Sequence, residues 1–527
     1  MKLEFEQNIA PADIFDELDF NGFLSSFDLG IPLLPRKILR PMTKEEGTSH
    51  FRRLYDLQAK VDHGELEIKK LIEQTRRLPL LDPLMMFFKD QGLEQYHLYD
   101  LGRFVFENDA LAGMETNYPL APEISECCAG IRAILEEYTE NGFSGLIYTK
   151  EEQEISSQVE ELGQTIQTGL YEYENEIYAL TGIKMIYPYP REISAQSENI
   201  SKMLNCKLLS VERRENTCRV DFCLQPKLER IIDEKDMLSE KFAVMMQEKL
   251  ETINRKLQPL FKDFAAYYEE RKVRVFYYAL LWFKVLYSLT FPVFRDDFGC
   301  RLKNARLPCL EKQVKKYIPL NIVLNRGSNV LFGANMTGKT TVLKTLYFHL
   351  TAIRMGLPVP AGSAVLHFPE QVELHLKTSG NVRTNLSSFG DEILFFSKNI
   401  SSYAYVLADE LFQSTDPVSG TELSEIFLAE FSDKDMVFFC TSHYPDVLKF
   451  DTISLFRMKD PDFEGQDIQV EDLLNMMPYT LERISHDKIN DALGQTRKAL
   501  CMALNFRLPE SIKTKILSAL KSYKERN

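Results

Sequence analysis

No C-x-x-C pair occurs among the nine cysteines of this 527-residue chain, and only Cys127 and Cys128 are adjacent. That scatter spells neither a zinc site nor a disulfide framework, and it suits a reducing, cytoplasmic setting. An uninterrupted apolar run of membrane-crossing length is missing too. The most lipid-like stretch, Val275 to Phe294, is broken by Lys284, several tyrosines and Pro292, and reads as a buried helix rather than a membrane partner. The opening residues, Met-Lys-Leu-Glu-Phe-Glu-Gln, are acidic and lack the apolar core of a secretory signal. Positive net charge is absent as well: a formal charge of −14 argues against a surface that coats nucleic acid and leaves room for a local basic patch. Low-complexity tracts and a repeat of solenoid length are not found. With 44% hydrophobic and 11% aromatic residues the chain is a folded one, long enough for roughly three or four domains.

What is present is most concentrated at residues 333 to 340, Gly-Ala-Asn-Met-Thr-Gly-Lys-Thr, a full G-x-x-x-x-G-K-[ST] phosphate loop. Val330, Leu331 and Phe332 before it form a short apolar strand pattern, and Val342, Leu343, Leu346 and Leu350 after it recur at helical spacing. Gly333 and Gly338 allow a tight turn, so that the backbone from Gly333 through Ala334, Asn335, Met336, Thr337 and Gly338 to Lys339, Thr340 and Thr341 can aim N–H groups at an anion seated on a helix N-terminus. In such a loop Lys339 reaches the β- and γ-phosphates and Thr340 supplies a hydroxyl to Mg²⁺. The alternative is a chance match in a glycine-containing loop.

The chain reads in three sections. Residues 1–150 alternate helical patterns with turn signals and form a helical domain. Residues 151–300 hold two long amphipathic runs, from Lys150 to about Thr181 and from Lys227 to about Leu289, read as helical arms. Between the runs, at about 184–226, two alternating segments around an Arg-Glu-Asn turn predict a hairpin, a small β-containing tip on the arms. Residues 301–527 read as an α/β domain with a helical region from about 485.

In that third section the apolar strand Tyr403 to Ala408 ends in Asp409 and Glu410, a Walker B arrangement in which Asp409 helps hold Mg²⁺ and Glu410 orients the attacking water as base. The bland alternative is a pair of solvated acids after a core strand. A second buried strand, Met436 to Thr441, delivers Ser442 and His443 to the same sheet edge, where ligands of parallel sheets bind. His443 is a candidate γ-phosphate sensor, or else a structural loop histidine.

Taken in order, these residues resemble the MutS family. Gly-Ala-Asn-Met-Thr-Gly-Lys-Thr is similar to that family's Gly-Pro-Asn-Met-x-Gly-Lys-Ser, with the Asn335-Met336 pair as the distinguishing element. Ala305-Arg-Leu-Pro308 resembles its Ala-Arg-His-Pro, and Tyr317 falls where the family places an aromatic ring to stack on adenine. Gly356 to Ala361, Ser387 to Glu392, Thr441 to Tyr444 and Ala499 to Pro509 resemble further family segments, so that the likeness runs from residue 301 to about 520.

The resemblance implies a multidomain α and α/β protein, in which helical core and lever arms with a small β-containing tip precede an ABC-like P-loop ATPase domain. It implies ATP and Mg²⁺ as ligands and a dimer, of identical or different subunits, paired through the ATPase domains with Ser387 as a contact in trans. It also places the 184–226 tip where the family grips DNA, and the tip's small excess of basic residues suits either phosphate contact or a solvated hairpin. Departures accompany the likeness. About 300 residues precede the ATPase segment, too few for the family's mismatch-reading and connector domains, and Phe15-Asp-Glu17 matches the reader's Phe-x-Glu by coincidence. No C-terminal nuclease segment is read. After Walker B the family's Leu-Gly-Arg-Gly-Thr-Ser becomes Leu411-Phe-Gln-Ser-Thr-Asp416. The expected function is an ATP-hydrolysing dimeric clamp on duplex or branched DNA, related to mismatch repair or recombination. The alternative is a remodelling ATPase acting on a client enzyme, such as an adenosylcobalamin-dependent aminomutase, without DNA.

Overall fold

A computed structural model of the chain describes residues 12–27, 29–34, 40–90, 92–116, 118, 122–140, 145–314, 317–333, 338–376, 388–397, 400–458, 480–485 and 509–524. Its internal contacts divide it into two units, Met1–Arg77 with Glu270–Asn527, and Leu78–Glu269.

The first unit begins with α1 (Ala12–Glu17), α2 (Phe20–Ser25), α3 (Lys44–Asp62) and α4 (Ile68–Thr75). Helix α3 starts at a capping box: Thr43 accepts from the Glu46 N–H while the Glu46 carboxylate accepts from the Thr43 N–H, satisfying two donors that a helix start leaves open. His50, Phe51, Leu54 and Leu57 line its buried face at helical spacing.

The second unit holds α5 (Asp82–Asp90), α6 (Gln95–Met114), α7 (Pro122–Tyr138), α8 (Lys150–Thr181), β1 (Arg191–Ser194), α9 (Ile200–Leu204), β2 (Leu209–Arg213), β3 (Thr217–Phe222) and α10 (Pro226–Leu257). The first predicted arm is α8, whereas the run predicted from Lys227 to about Leu289 is not one helix: it ends as α10 at Leu257, where Gln258-Pro259-Leu260 form a tighter turn before the next helix. Helices α8 and α10 are 32 residues each and pack along one another. Thr149 and Glu152 box the start of α8, and Gly182, at φ 73, ends it. Proline at the first position of α10 costs no hydrogen bond there. Between the arms lies a three-stranded antiparallel sheet in the order β1-β3-β2, so the predicted hairpin is β2–β3 with one further strand. Tyr173 and Ile177 of α8 close over Met185, Met203, Leu209 and Val220, giving the tip its own small core.

The boundary between the units falls inside α11 (Phe261–Leu286), whose Val275, Phe276, Tyr278 to Leu281 and Phe283 are buried. Among the described residues no helix is long and apolar enough to cross a membrane. Then follow β4 (Val293–Phe294), β5 (Gly299–Ala305), α12 (Pro308–Glu311), β6 (Leu320–Asn325), β7 (Gly327–Phe332), α13 (Lys339–Arg354), β8 (Ser363–Leu366), β9 (Gln371–His375), α14 (Ser388–Phe396), β10 (Ala404–Ala408), α15 (Pro417–Ser432), β11 (Val437–Ser442), β12 (Ser454–Met458), β13 (Leu481–Ile484) and α16 (Glu510–Lys524). Strands β4-β8-β5-β6 make one sheet and β13-β12-β7-β11-β10-β9 the other. In the larger sheet every pairing from β12 to β9 is parallel and only β13 runs antiparallel. Its central strands are buried at every position, as expected for parallel strands covered on both faces.

Residues near the N-terminus belong to this unit through aromatic packing. Phe20 and Phe23 stand 5.0 and 5.1 Å from Phe348 of α13, and Phe23 lies 5.4 Å from Phe283 of α11. Burying such rings stabilises by about 1.5–3 kcal/mol each. The Met42 N–H donates to the Arg354 carbonyl, and the His50 Nε2–H donates to the Gly356 carbonyl, both at 2.9 Å, which fastens α3 to the end of α13. Phe15 packs on Phe20 and Glu17 pairs with Lys344, so the Phe15-Asp-Glu17 triplet forms part of this helical cover.

Candidate active site

Register brings the site together. Ser442 of β11 lies opposite Phe332 of β7, and Ala408 of β10 opposite Cys440 of β11, so three neighbouring parallel strands end side by side. Beyond those carboxyl ends come Gly333, His443 and the Asp409-Glu410 pair. Ligands of parallel sheets collect there because the following loops and helix N-termini point their donors that way.

Gly338 precedes α13 at φ 93, a left-handed conformation that a Cβ would disfavour. The helix therefore opens at Lys339, whose Nζ donates to the Gly333 carbonyl at 2.8 Å. Burial pushes the Lys339 ammonium down to about 8, against the opposing pull of Asp409 and Glu410. Thr340, one residue on, donates its hydroxyl to Asp409 Oδ2 at 2.7 Å. The other oxygen, Oδ1, accepts from the Thr441 hydroxyl at 2.7 Å, and Thr441 Oγ1 in turn accepts from the Glu410 N–H at 2.7 Å. Asp409 is almost fully buried, and this pair of hydroxyl donors compensates its desolvation.

Glu410 takes φ 52 and turns its carboxylate toward His443, whose Nε2 lies 3.5 Å from Oε1. Burial first, and the nearby Lys339 charge second, hold the His443 imidazole below its ordinary value, so it is neutral at neutral pH. Thr341 is half-buried and its carbonyl accepts from the Thr345 hydroxyl. The Tyr317 hydroxyl accepts from the Leu307 N–H at 2.8 Å, which ties its ring to the Ala305–Pro308 segment. Ala334, Asn335, Met336, Thr337 and Ser387 lie outside the described residues, as does most of the Ala499–Pro509 segment.

Two contributors carried no assigned role in the sequence reading. Thr441 bridges Asp409 and Glu410, and its place at the end of a buried strand was the available signal. Glu392, almost fully buried, accepts from the Phe412 N–H at 2.6 Å. Glu392 closes the Ser387–Glu392 segment that resembles the family, but that resemblance gave it no role.

Several relatives of known description share part of this chain. The protein called Endonuclease MutS2 of Caldicellulosiruptor saccharolyticus is 26% identical over 243 residues, 43% of this chain and 30% of the relative. The one of Thermotoga petrophila is 30% identical over 165 residues, 30% of this chain and 21% of its own. That of Lactobacillus acidophilus is 32% identical over 163 residues, 30% of this chain and 20% of its own. Over 30–43% of its length the chain is similar to these MutS2 proteins. It spans between 20% and 30% of the length of these curated relatives, and no family model matches it.

The donor set of this site suits Mg²⁺. Thr340 and Asp409 offer hard oxygen atoms already in contact, and Mg²⁺ takes one or two protein oxygens and fills its octahedron with water and phosphate.

Proposed function

We propose that the chain is a Mg²⁺-dependent ATPase of MutS type, working as a dimer through its ATPase domains and acting on DNA. The observation that carries this reading is the joined group Lys339, Thr340, Asp409, Thr441 and Glu410 at the ends of three adjacent parallel strands. Lys339, Thr340, Asp409 and Glu410 each take a role in phosphoryl transfer, and Thr441 holds the two acids in place. Lys339 exchanges the Gly333 carbonyl for β- and γ-phosphate oxygens, Thr340 and Asp409 hold the metal, and Tyr317 stacks on adenine. Mg²⁺, when bound, neutralises charge on the phosphate oxygens. Glu410 orients a water for attack on the γ-phosphorus and takes its proton as the bond to the β-phosphate oxygen breaks. His443 senses the γ-phosphate beside it, and Ser387 contacts the nucleotide of the second subunit.

The DNA half of the proposal rests on the relatives' description and on the tip. Lys202, Lys207 and Arg213 are exposed there and form no ion pair among the described residues, whereas Arg214 and Arg219 are already paired with Glu192 and Asp221. Unpaired cations are the ones that can replace counterions on a phosphate backbone.

The ATPase half is tested by measuring Mg²⁺-dependent ATP turnover and nucleotide binding, with Lys339→Ala expected to weaken both. An inactive wild-type chain that binds no ATP contradicts it.

A further inference from the structure

Phe412 is a large residue in an uncommon place. It takes φ 51, in the left-handed region that favours glycine, and its side chain is fully buried against Phe396 and Phe427. Its backbone groups are buried with it, and each is satisfied by a side chain rather than by a sheet or helix. The N–H donates to Glu392 Oε1 of α14 at 2.6 Å, and the carbonyl accepts from the Tyr444 hydroxyl at 2.8 Å. Helix α15 closes the third side. A Cβ on Gly420 would stand 2.2 Å from the Tyr444 hydroxyl oxygen and 2.7 Å from the Phe412 carbonyl oxygen, so only glycine lets the helix approach this closely.

The three residues Glu410, Leu411 and Phe412 are thus pinned one after another. The Glu410 N–H rests on Thr441 Oγ1, the Leu411 N–H on the Thr441 carbonyl at 3.0 Å, and the Phe412 N–H on Glu392. Two of the three have positive φ, a turn that relaxes unless its surroundings over-determine it. Tyr444 also adjoins His443 in sequence, so the same clamp reaches both residues that face each other across the site.

We propose that Glu392 is a positioning residue for ATP hydrolysis, which with Tyr444 clamps the Phe412 peptide and thereby fixes the turn that aims Glu410. This rests on the ATPase reading of the site. Glu392 touches neither nucleotide nor water in this role; it acts through Phe412. The clamp should therefore affect the chemical step and leave nucleotide binding by Lys339 and Thr340 alone.

The test is steady-state hydrolysis of Mg-ATP by Glu392→Ala, Glu392→Gln and Tyr444→Phe, together with amide hydrogen exchange of the segment around Phe412 without nucleotide. Loosening the turn in Glu392→Ala should lower kcat on the order of tenfold to a hundredfold while KM stays within about twofold, because a misplaced catalytic group is costly even at small displacements. Glu392→Gln keeps an amide oxygen for the Phe412 N–H and should recover most of the rate. Exchange at Phe412 should quicken in the alanine variant and not in the glutamine one. If Glu392→Ala does not fold, Tyr444→Phe, which removes only the hydroxyl, must show the same kcat-specific loss. A Glu392→Ala kcat within about twofold of wild type overturns the proposal. So does a Glu392→Gln variant as slow as alanine, or a silent Tyr444→Phe when alanine does not fold. Should the wild type itself prove unable to hydrolyse ATP, the ATPase reading and the role of Glu392 in hydrolysis fall together, and the exchange at Phe412 then separately decides whether the clamp exists.

Discussion

The Thr340 hydroxyl donates to Asp409 Oδ2 at 2.7 Å, joining the first turn of α13 to the end of β10 across the intervening strand β11. That bond is flanked by its counterpart from β11 itself, the Thr441 hydroxyl on Oδ1. Thr441→Val keeps the shape and removes both the donor to Asp409 and the acceptor for the Glu410 N–H. The loss should cost about 1–3 kcal/mol of stability, read from urea unfolding, because buried polar groups are left without partners. A variant as stable as wild type would show that the bridge is dispensable.

Lys339 should make nucleotide binding sensitive to alkali. In the free site its ammonium loses its proton at about 8, and phosphate oxygens drawn to it would raise that value. Binding then takes up a proton wherever the pH lies above the free value and below the bound one. ATP affinity should be level below about pH 7 and weaken above pH 8, by up to about tenfold per pH unit. Calorimetry in buffers of different ionisation enthalpy would detect the proton uptake, and its absence at pH 9 would contradict this account of Lys339.

Acid should loosen the attachment of α3 through His50. Burial holds this imidazole down at about 4 against an ordinary 6.5, so the unfolded chain binds the proton first as the pH falls. The stability contributed by neutral His50 is full above pH 6.5, is lost on the way to pH 4, and amounts to on the order of 3 kcal/mol. His50→Gln retains a donor for the Gly356 carbonyl but does not titrate, and should flatten that part of the stability profile. An unchanged pH profile would mean that His50 is not the group responsible.

Lys202, Lys207 and Arg213 should set the salt dependence of DNA binding. Changing all three to alanine should reduce the slope of log affinity against log salt by about one unit for each DNA phosphate that is no longer neutralised. Equal slopes for the wild type and the triple variant would remove the tip from the DNA interface, and no binding at low salt would remove DNA altogether.

That Thr340, Asp409 and Glu410 come together could be read from the sequence because the patterns that single them out lie between neighbours in the chain. A glycine before a lysine, or two acids after an apolar strand, are local patterns, and Gly338-Lys339 and Asp409-Glu410 are both of this kind. Helix α8 was legible for a similar reason, since amphipathic periodicity over 32 residues is a long signal, but the same periodicity carried the second run past its real end at Leu257, where Pro259 follows, to about Leu289. Long-range packing leaves no such trace. Phe20 and Phe348 meet at 5.0 Å although more than 300 residues separate them in the chain, so nothing near Phe20 announces that the N-terminal helices cover α13. The contact between Glu392 and Phe412 was illegible for the opposite reason, although both lie in segments that the sequence singles out. A buried carboxylate and a phenylalanine at positive φ both run against local preference, and only the packed surroundings make them stable.

The central claim is that Glu410 is the base of an ATPase site built at the ends of β7, β11 and β10. Glu410→Gln keeps the size and hydrogen-bonding capacity of the side chain and removes its ability to take a proton. With Mg²⁺ present, the variant should bind ATP as the wild type does, while single-turnover hydrolysis falls about 10²–10⁴-fold. Hydrolysis at the wild-type rate by Glu410→Gln would contradict the assignment.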